Sequence, residues 1–222
     1  KAAQVAVDGG ENTVVVAEEA SIGTLTARAA VEVDNQGTID KALIQAGGVV
    51  LDGKMLTGYT GAASELGHMV IRAGGEECTC GRRGCFEAYA SATALIRETK
   101  RAMAAHPESR MHAAAEENGA VDGRTAFIAA QRGDAAAQAV VNRYLDDLAC
   151  GVANIVNIFF PEVIALSGGV ANQGDALLVP LRERVRALSY GSRYAVRHTR
   201  IELCTLGYRA GVIGAALLAK QS

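Results

Sequence analysis

Three of the chain's five cysteines fall within eight positions, Cys78-Thr79-Cys80-Gly81-Arg82-Arg83-Gly84-Cys85, and a histidine, His68, precedes them. The spacing is His-x9-Cys-x-Cys-x4-Cys. One imidazole nitrogen and three thiolates form a soft four-ligand set suited to tetrahedral zinc, and a closed set of this kind is structural. Gly81 and Gly84 permit the tight turns that bring the sulfurs onto one ion. Disulfides are disfavoured, since the clustered thiols are odd in number and the expected compartment is reducing. Cys150 and Cys204 stand alone and read as ordinary core residues, and His106, His112 and His198 read as solvated. Two carboxylates flank the cluster, Glu65 and Glu87. Carboxylates accept hydrogen bonds from hydroxyls, and a metal-anchored loop would hold them rigidly.

The elements that position this loop follow from the periodicity. Residues 4–7, 13–17 and 25–33 are strand-like, 38–46 reads as a short helix, and 49–51 is a strand running into an Asp52-Gly53 turn. No internal repeat and no low-complexity segment is expected. Helices are expected over 87–105, 123–131, 134–159 (capped by Asp134) and 174–189, with strands at 163–166 and 200–204 and a closing helix at 209–220. Strand, glycine turn, helix, strand, helix is α/β order with a parallel sheet.

The whole composition agrees with such a chain. Half of the 222 residues are hydrophobic and 21% are charged, which excludes a disordered polymer. The net charge of −2 gives no pull toward nucleic acid or anionic membrane. No apolar run reaches the ~18 residues of a membrane span, and no secretory signal is visible at the start. A cytoplasmic location is the expectation.

The residues 61–68 (Gly-Ala-Ala-Ser-Glu-Leu-Gly-His) together with Cys78-x-Cys80-Gly81-x-x-Gly84-Cys85-x-Glu87-x-Tyr89-Ala90-Ser91 resemble the ROK family of repressors, open reading frames and sugar kinases. The resemblance continues through Pro161–Val170 and Ala210–Ala216, covers 47–222, and is closest to the glucokinase branch at 89–94. It implies a two-lobed actin-like or hexokinase-like (ribonuclease H-like) α/β fold. In that frame 1–46 is a remnant of an incomplete N-terminal lobe and 47–222 is the C-terminal lobe with its zinc loop, the helix near 209–220 packing back on the N-terminal lobe.

The implied activity is ATP-dependent phosphorylation of a hexose, glucose to glucose 6-phosphate first among the choices, with ATP-Mg as co-substrate and zinc as a structural ion. By position, Glu65, His68 and Glu87 would bind sugar hydroxyls, and His68 would use one ring nitrogen for zinc and the other for sugar. Asp8, Gly9, Gly10 and Thr13 resemble the first phosphate loop, with Glu11-Asn12 intruding before Thr13, and Gly168-Gly169 resemble the adenosine-side turn. Homodimers or homotetramers built through the larger lobe are also implied.

The pattern departs from the family in one place. The catalytic aspartate's Asn-Asp-Ala-Asn motif has no match here; Val33-Asp34-Asn35 is nearest, and Asp34 reads as a strand-end or helix-cap aspartate. The second phosphate loop is reduced to Gly47-Gly48. No catalytic residue is therefore assigned. Two other functions remain open: a sugar-responsive regulator of ROK type, and a sugar-binding zinc protein without turnover.

Overall fold

The computed structural model describes residues 5–7, 12–16, 21–22, 25–27, 31–35, 38–39, 42–44, 48–52, 54–60 and 62–205. The chain divides into two units, Lys1–Leu66 with Thr205–Ser222, and Gly67–Cys204. The sequence places its own boundary at 46/47.

Among the described residues of the first unit seven short strands precede a hairpin: β1 (Val5–Val7), β2 (Asn12–Val16), β3 (Ser21–Ile22), β4 (Leu25–Ala27), β5 (Val31–Asn35), β6 (Thr38–Ile39) and β7 (Ala42–Ile44). Successive strands do not pair with each other. Instead β1, β4 and β7 form one parallel ladder, β2 pairs with β5 and β3 with β6, all parallel. Val5 lies opposite Leu25, 20 residues on, and Leu25 opposite Ala42, 17 residues on. The path thus repeats every three strands. The helix expected over 38–46 is corrected to β6 and β7. Ile39, Leu43 and Ile44 have helical spacing, but parallel partners at Ser21–Ile22 and Leu25–Ala27 claim the backbone, and pairing overrides local preference. The repeat escapes inspection of the sequence because a backbone ladder requires spacing rather than matching side chains.

The hairpin is β8 (Val50–Leu51) and β9 (Lys54–Met55), with Leu51 opposite Lys54. Asp52 between them has φ of 50°, the left-handed geometry that an Asp-Gly two-residue turn requires.

The second unit is built on α5 (Ala135–Phe159). Its Val140, Val141, Tyr144, Leu145, Leu148, Val152 and Val156 are buried at helical spacing. Asp134 caps it as expected, accepting from the Ala137 amide at 2.7 Å. Packed around it are α1 (Glu87–Ala90), α2 (Ala92–Ala105), α4 (Thr125–Gln131) and α6 (Asp175–Leu188), with α3 (Met111–Asn118) resting on α4 and α2. β10 (Val163–Leu166) and β11 (Arg200–Leu203) pair in parallel across α6, in the expected α/β order.

Two differences from the sequence reading have local causes. The single helix expected over 87–105 is broken at Ser91, whose backbone is extended and whose Oγ accepts from the Ala94 amide, so serine starts a second helix instead of continuing the first. The short helix α3 was not expected; its alanine-rich stretch ends at Gly119, which takes the left-handed φ of 75° that closes helices. The expected closing helix, 209–220, lies outside the described residues.

Candidate metal centre

The loop after His68 is folded by backbone hydrogen bonds that leave its side chains converging. The Cys78 amide donates to the Arg82 carbonyl at 2.9 Å and the Gly81 amide to the Cys78 carbonyl at 3.0 Å, closing a tight turn around Cys80. The Gly84 amide donates to Glu76 and its carbonyl accepts from Ile71, which lays Cys85 beside Val70. Gly84 has φ of 85°, and any Cβ there would overlap the Arg72 carbonyl, so only glycine fits.

These turns gather His68, Cys78, Cys80 and Cys85, the four residues expected from the spacing, with their ligating atoms all within 4.8 Å of one another. His68 Nδ1 stands 3.5 Å from Cys78 Sγ, and Cys80 Sγ 3.6 Å from Cys85 Sγ. Ligands of a tetrahedral zinc, about 2.3 Å away for sulfur and 2.0–2.1 Å for nitrogen, lie roughly 3.8 Å (S···S) and 3.6 Å (S···N) apart. The donor set and its spacing therefore fit the ion.

The environments of the thiols differ within the cluster. Burial pushes the Cys78 thiol up to about 12, with the Cys80 amide opposing and Glu87 adding to the rise. The exposed Cys80 is drawn down to about 7, first by the Arg82 amide and then by Cys78. A divalent cation would supply what Cys78 lacks, a partner for its charged form. Arg82 is a support the sequence reading overlooked. Its guanidinium donates to the His68 carbonyl and reaches within 3.9 Å of Cys85 Sγ. Its place inside the Cys-Gly-Arg-Arg-Gly-Cys turn was the available signal.

The three residues expected to face a sugar are placed as follows. His68 ends a 3₁₀ turn, Leu66–His68, with its side chain about a third exposed. Glu87 opens α1, and its Oε1 accepts from Thr79 Oγ1 at 2.8 Å and from Cys78 Sγ at 3.2 Å, 3.9 Å from His68 Nδ1. Glu65 belongs to the first unit and is exposed.

On the nucleotide side, Asp8, Gly9 and Gly10 lie outside the described residues, and Thr13 sits in β2 opposite Glu32. Gly168 follows the carboxyl end of β10 with φ of 99°, and Gly169 opens a 3₁₀ turn. Among the described residues neither has a heavy atom within 4 Å of where a Cβ would stand, which leaves the backbone there open on that side. The carboxyl end of a parallel strand is where α/β folds bind ligands. A larger cavity of about 450 Å³, lined by Phe160, Arg182, Arg186, His198 and Arg200 among others, lies at the opposite, amino-terminal ends of β10 and β11. No helix among the described residues is long and apolar enough to cross a membrane.

The sequence profile of the ROK family matches residues 45–222. A glucokinase of Halalkalibacterium halodurans is 38% identical over 176 residues, 79% of this chain and 53% of that protein. A xylose repressor of Caldicellulosiruptor bescii is 30% identical over 75% of this chain and 41% of its own length. Among solved structures, a ROK family glucokinase from Streptomyces griseus in complex with glucose and AMPPNP superimposes with a TM-score of 0.71 at 30% identity, over 80% of this chain and 57% of that one. The chain spans about half the length of the curated relatives it matches.

Proposed function

The chain belongs to the ROK family, and from that premise we propose that it is part of an ATP-dependent hexose kinase, with glucose converted to glucose 6-phosphate as its leading reaction. The observation that carries this reading is the convergence of His68 with Cys78, Cys80 and Cys85 and with the Glu87 carboxylate. A metal bound there would supply rigidity, fixing the imidazole through Nδ1 and leaving Nε2 for a sugar hydroxyl. Glu65 and Glu87 would each accept from a further hydroxyl.

The open backbone at Gly168-Gly169 supports ATP binding, since amides there can approach phosphate or ribose oxygens without side-chain hindrance. Phosphoryl transfer also requires Mg²⁺ and a base beside the attacking hydroxyl, worth about 10²–10⁴-fold; no residue of this chain is assigned that role. Likeness to the Halalkalibacterium glucokinase favours glucose over other hexoses. A location in the cytoplasm and assembly into homodimers or homotetramers complete the proposal.

Coupled ADP release by the full-length protein, assayed across glucose, N-acetylmannosamine, N-acetylglucosamine, fructose and allose, tests it. Turnover fastest with glucose supports the reading, and background rates with every sugar refute it. The likeness to the xylose repressor favours a second reading, a sugar-responsive regulator. Sugar-dependent binding of operator DNA by the full-length protein, without turnover, would select it.

A further inference from the structure

We propose that Arg72, clamped between the Asp147 carboxylate and the Tyr89 ring, is a positioning residue that holds the metal loop on α5 and so governs how tightly the metal is retained. The inference rests on the metal reading of His68, Cys78, Cys80 and Cys85.

Arg72 lies midway along the stretch from His68 to Cys78. Its guanidinium pairs with Asp147 on α5 and stacks 4.8 Å from the centroid of Tyr89 on α1. Tyr89 in turn accepts the Glu76 amide at 2.7 Å, so one cation joins both sides of the loop to two helices.

Asp147 is one of three neighbours on a single face of α5, spaced i, i+3 and i+7. Tyr144 donates its hydroxyl to the Ala90 carbonyl at 3.1 Å. Gly151 leaves a hollow that the Phe86 ring, next to Cys85, occupies; a Cβ at 151 would overlap that ring. The same face therefore grips the loop and α1 at three points. The loop residues Cys78 and Cys85 form a small cluster with Ala88 of α1 beside the main core, with Tyr89 packed on it. Phe86 and Ala90, which flank this cluster in the chain, pack on the main core, and the Arg72 clamp adds a polar tie on the side of the loop that carries Cys78.

Net stability does not account for the pair. The Asp147 side chain is only 8% exposed while that of Arg72 is about half exposed. Burial, opposed by the charges of Arg72 and Arg143, leaves the Asp147 carboxyl above its usual range. Burying such a pair often contributes little or nothing to folding, and its attested use is to fix one arrangement over others.

The test measures zinc release to a chromophoric chelator, together with thermal unfolding, for the wild-type chain, Asp147→Asn, Arg72→Met and the double variant, each loaded with zinc. Arg72→Met alone strands a buried carboxylate and is expected to unfold early. Asp147→Asn and the double variant are expected to unfold within a few degrees of wild type, yet to release zinc about tenfold faster, the size expected when support behind metal ligands is lost. Release within twofold of wild type in both of those variants overturns the clamp. A wild-type chain that takes up no zinc overturns the metal reading itself, a different result from the first.

Discussion

His68 presents Nδ1, not Nε2, to the thiols, 3.5 Å from Cys78 Sγ. An imidazole held in this way by a metal keeps its far edge available and fixes the tautomer. In the proposed function one side chain would join a structural ion to a substrate contact, and the consequences can be measured separately.

His68→Ala is expected to remove both functions. Zinc content falls because a nitrogen ligand is lost, and KM for the sugar rises in the full-length protein. Cys80→Ser, at the exposed ligand, is expected to lower zinc content with a smaller effect on KM, because no sugar contact is lost. Zinc analysis paired with steady-state kinetics separates the two; equal kinetic losses in both variants contradict a dual role for His68.

Arg82→Ala removes the donor to the His68 carbonyl and the cation beside Cys85. Metal affinity is expected to fall about 10–100-fold, read by competition with a chelator of known affinity. Unchanged affinity would mean that the loop turn alone sets the ligand positions.

Removing the metal should leave the helices standing. The thiol cluster packs apart from the main core around α5. After chelation, far-UV circular dichroism is expected to hold while Cys78, Cys80 and Cys85 become reactive toward a thiol reagent. Loss of most helical signal on chelation contradicts this division.

Gly151→Ala places a methyl group against the Phe86 ring. Overpacking of this kind costs about 1–3 kcal/mol, measured by denaturant unfolding, and the variant should also release zinc faster because Phe86 adjoins Cys85. A stability equal to wild type would mean that the ring is free to move.

Asp134 carries a pH-dependent part of the stability. Burial acts to raise its carboxyl, but the amides of Ala137 and Arg110 and the Ser109 hydroxyl outweigh it and hold the group below its usual range. Such a group stabilises the fold above its unfolded value near 4 and withdraws that contribution as pH falls through the lower folded value. Asp134→Ala is expected to cost about 1 kcal/mol at pH 7, with the gap to wild type closing in strongly acidic solution. A gap that is constant with pH contradicts the cap.

The gathering of His68, Cys78, Cys80 and Cys85 and the helix α5 were legible in the sequence because both are local. Cysteine spacing and glycine turns specify the loop, and Asp134 followed by a 25-residue apolar stripe specifies the helix. What escaped was set by distant partners. Parallel pairing turned Thr38–Ile39 and Ala42–Ile44 into strands, and the bond between Arg72 and Asp147 spans 75 positions with no motif to announce it. Ser91 lies between: its N-cap chemistry was visible, but an apolar pattern running through it concealed the break.

X-ray absorption at the zinc edge on chain purified without chelators tests the central claim most directly. One zinc per chain with three sulfurs at about 2.3 Å and one nitrogen at about 2.0–2.1 Å is the predicted result. Absence of stoichiometric zinc, or a zinc surrounded by oxygen and nitrogen alone, would contradict it.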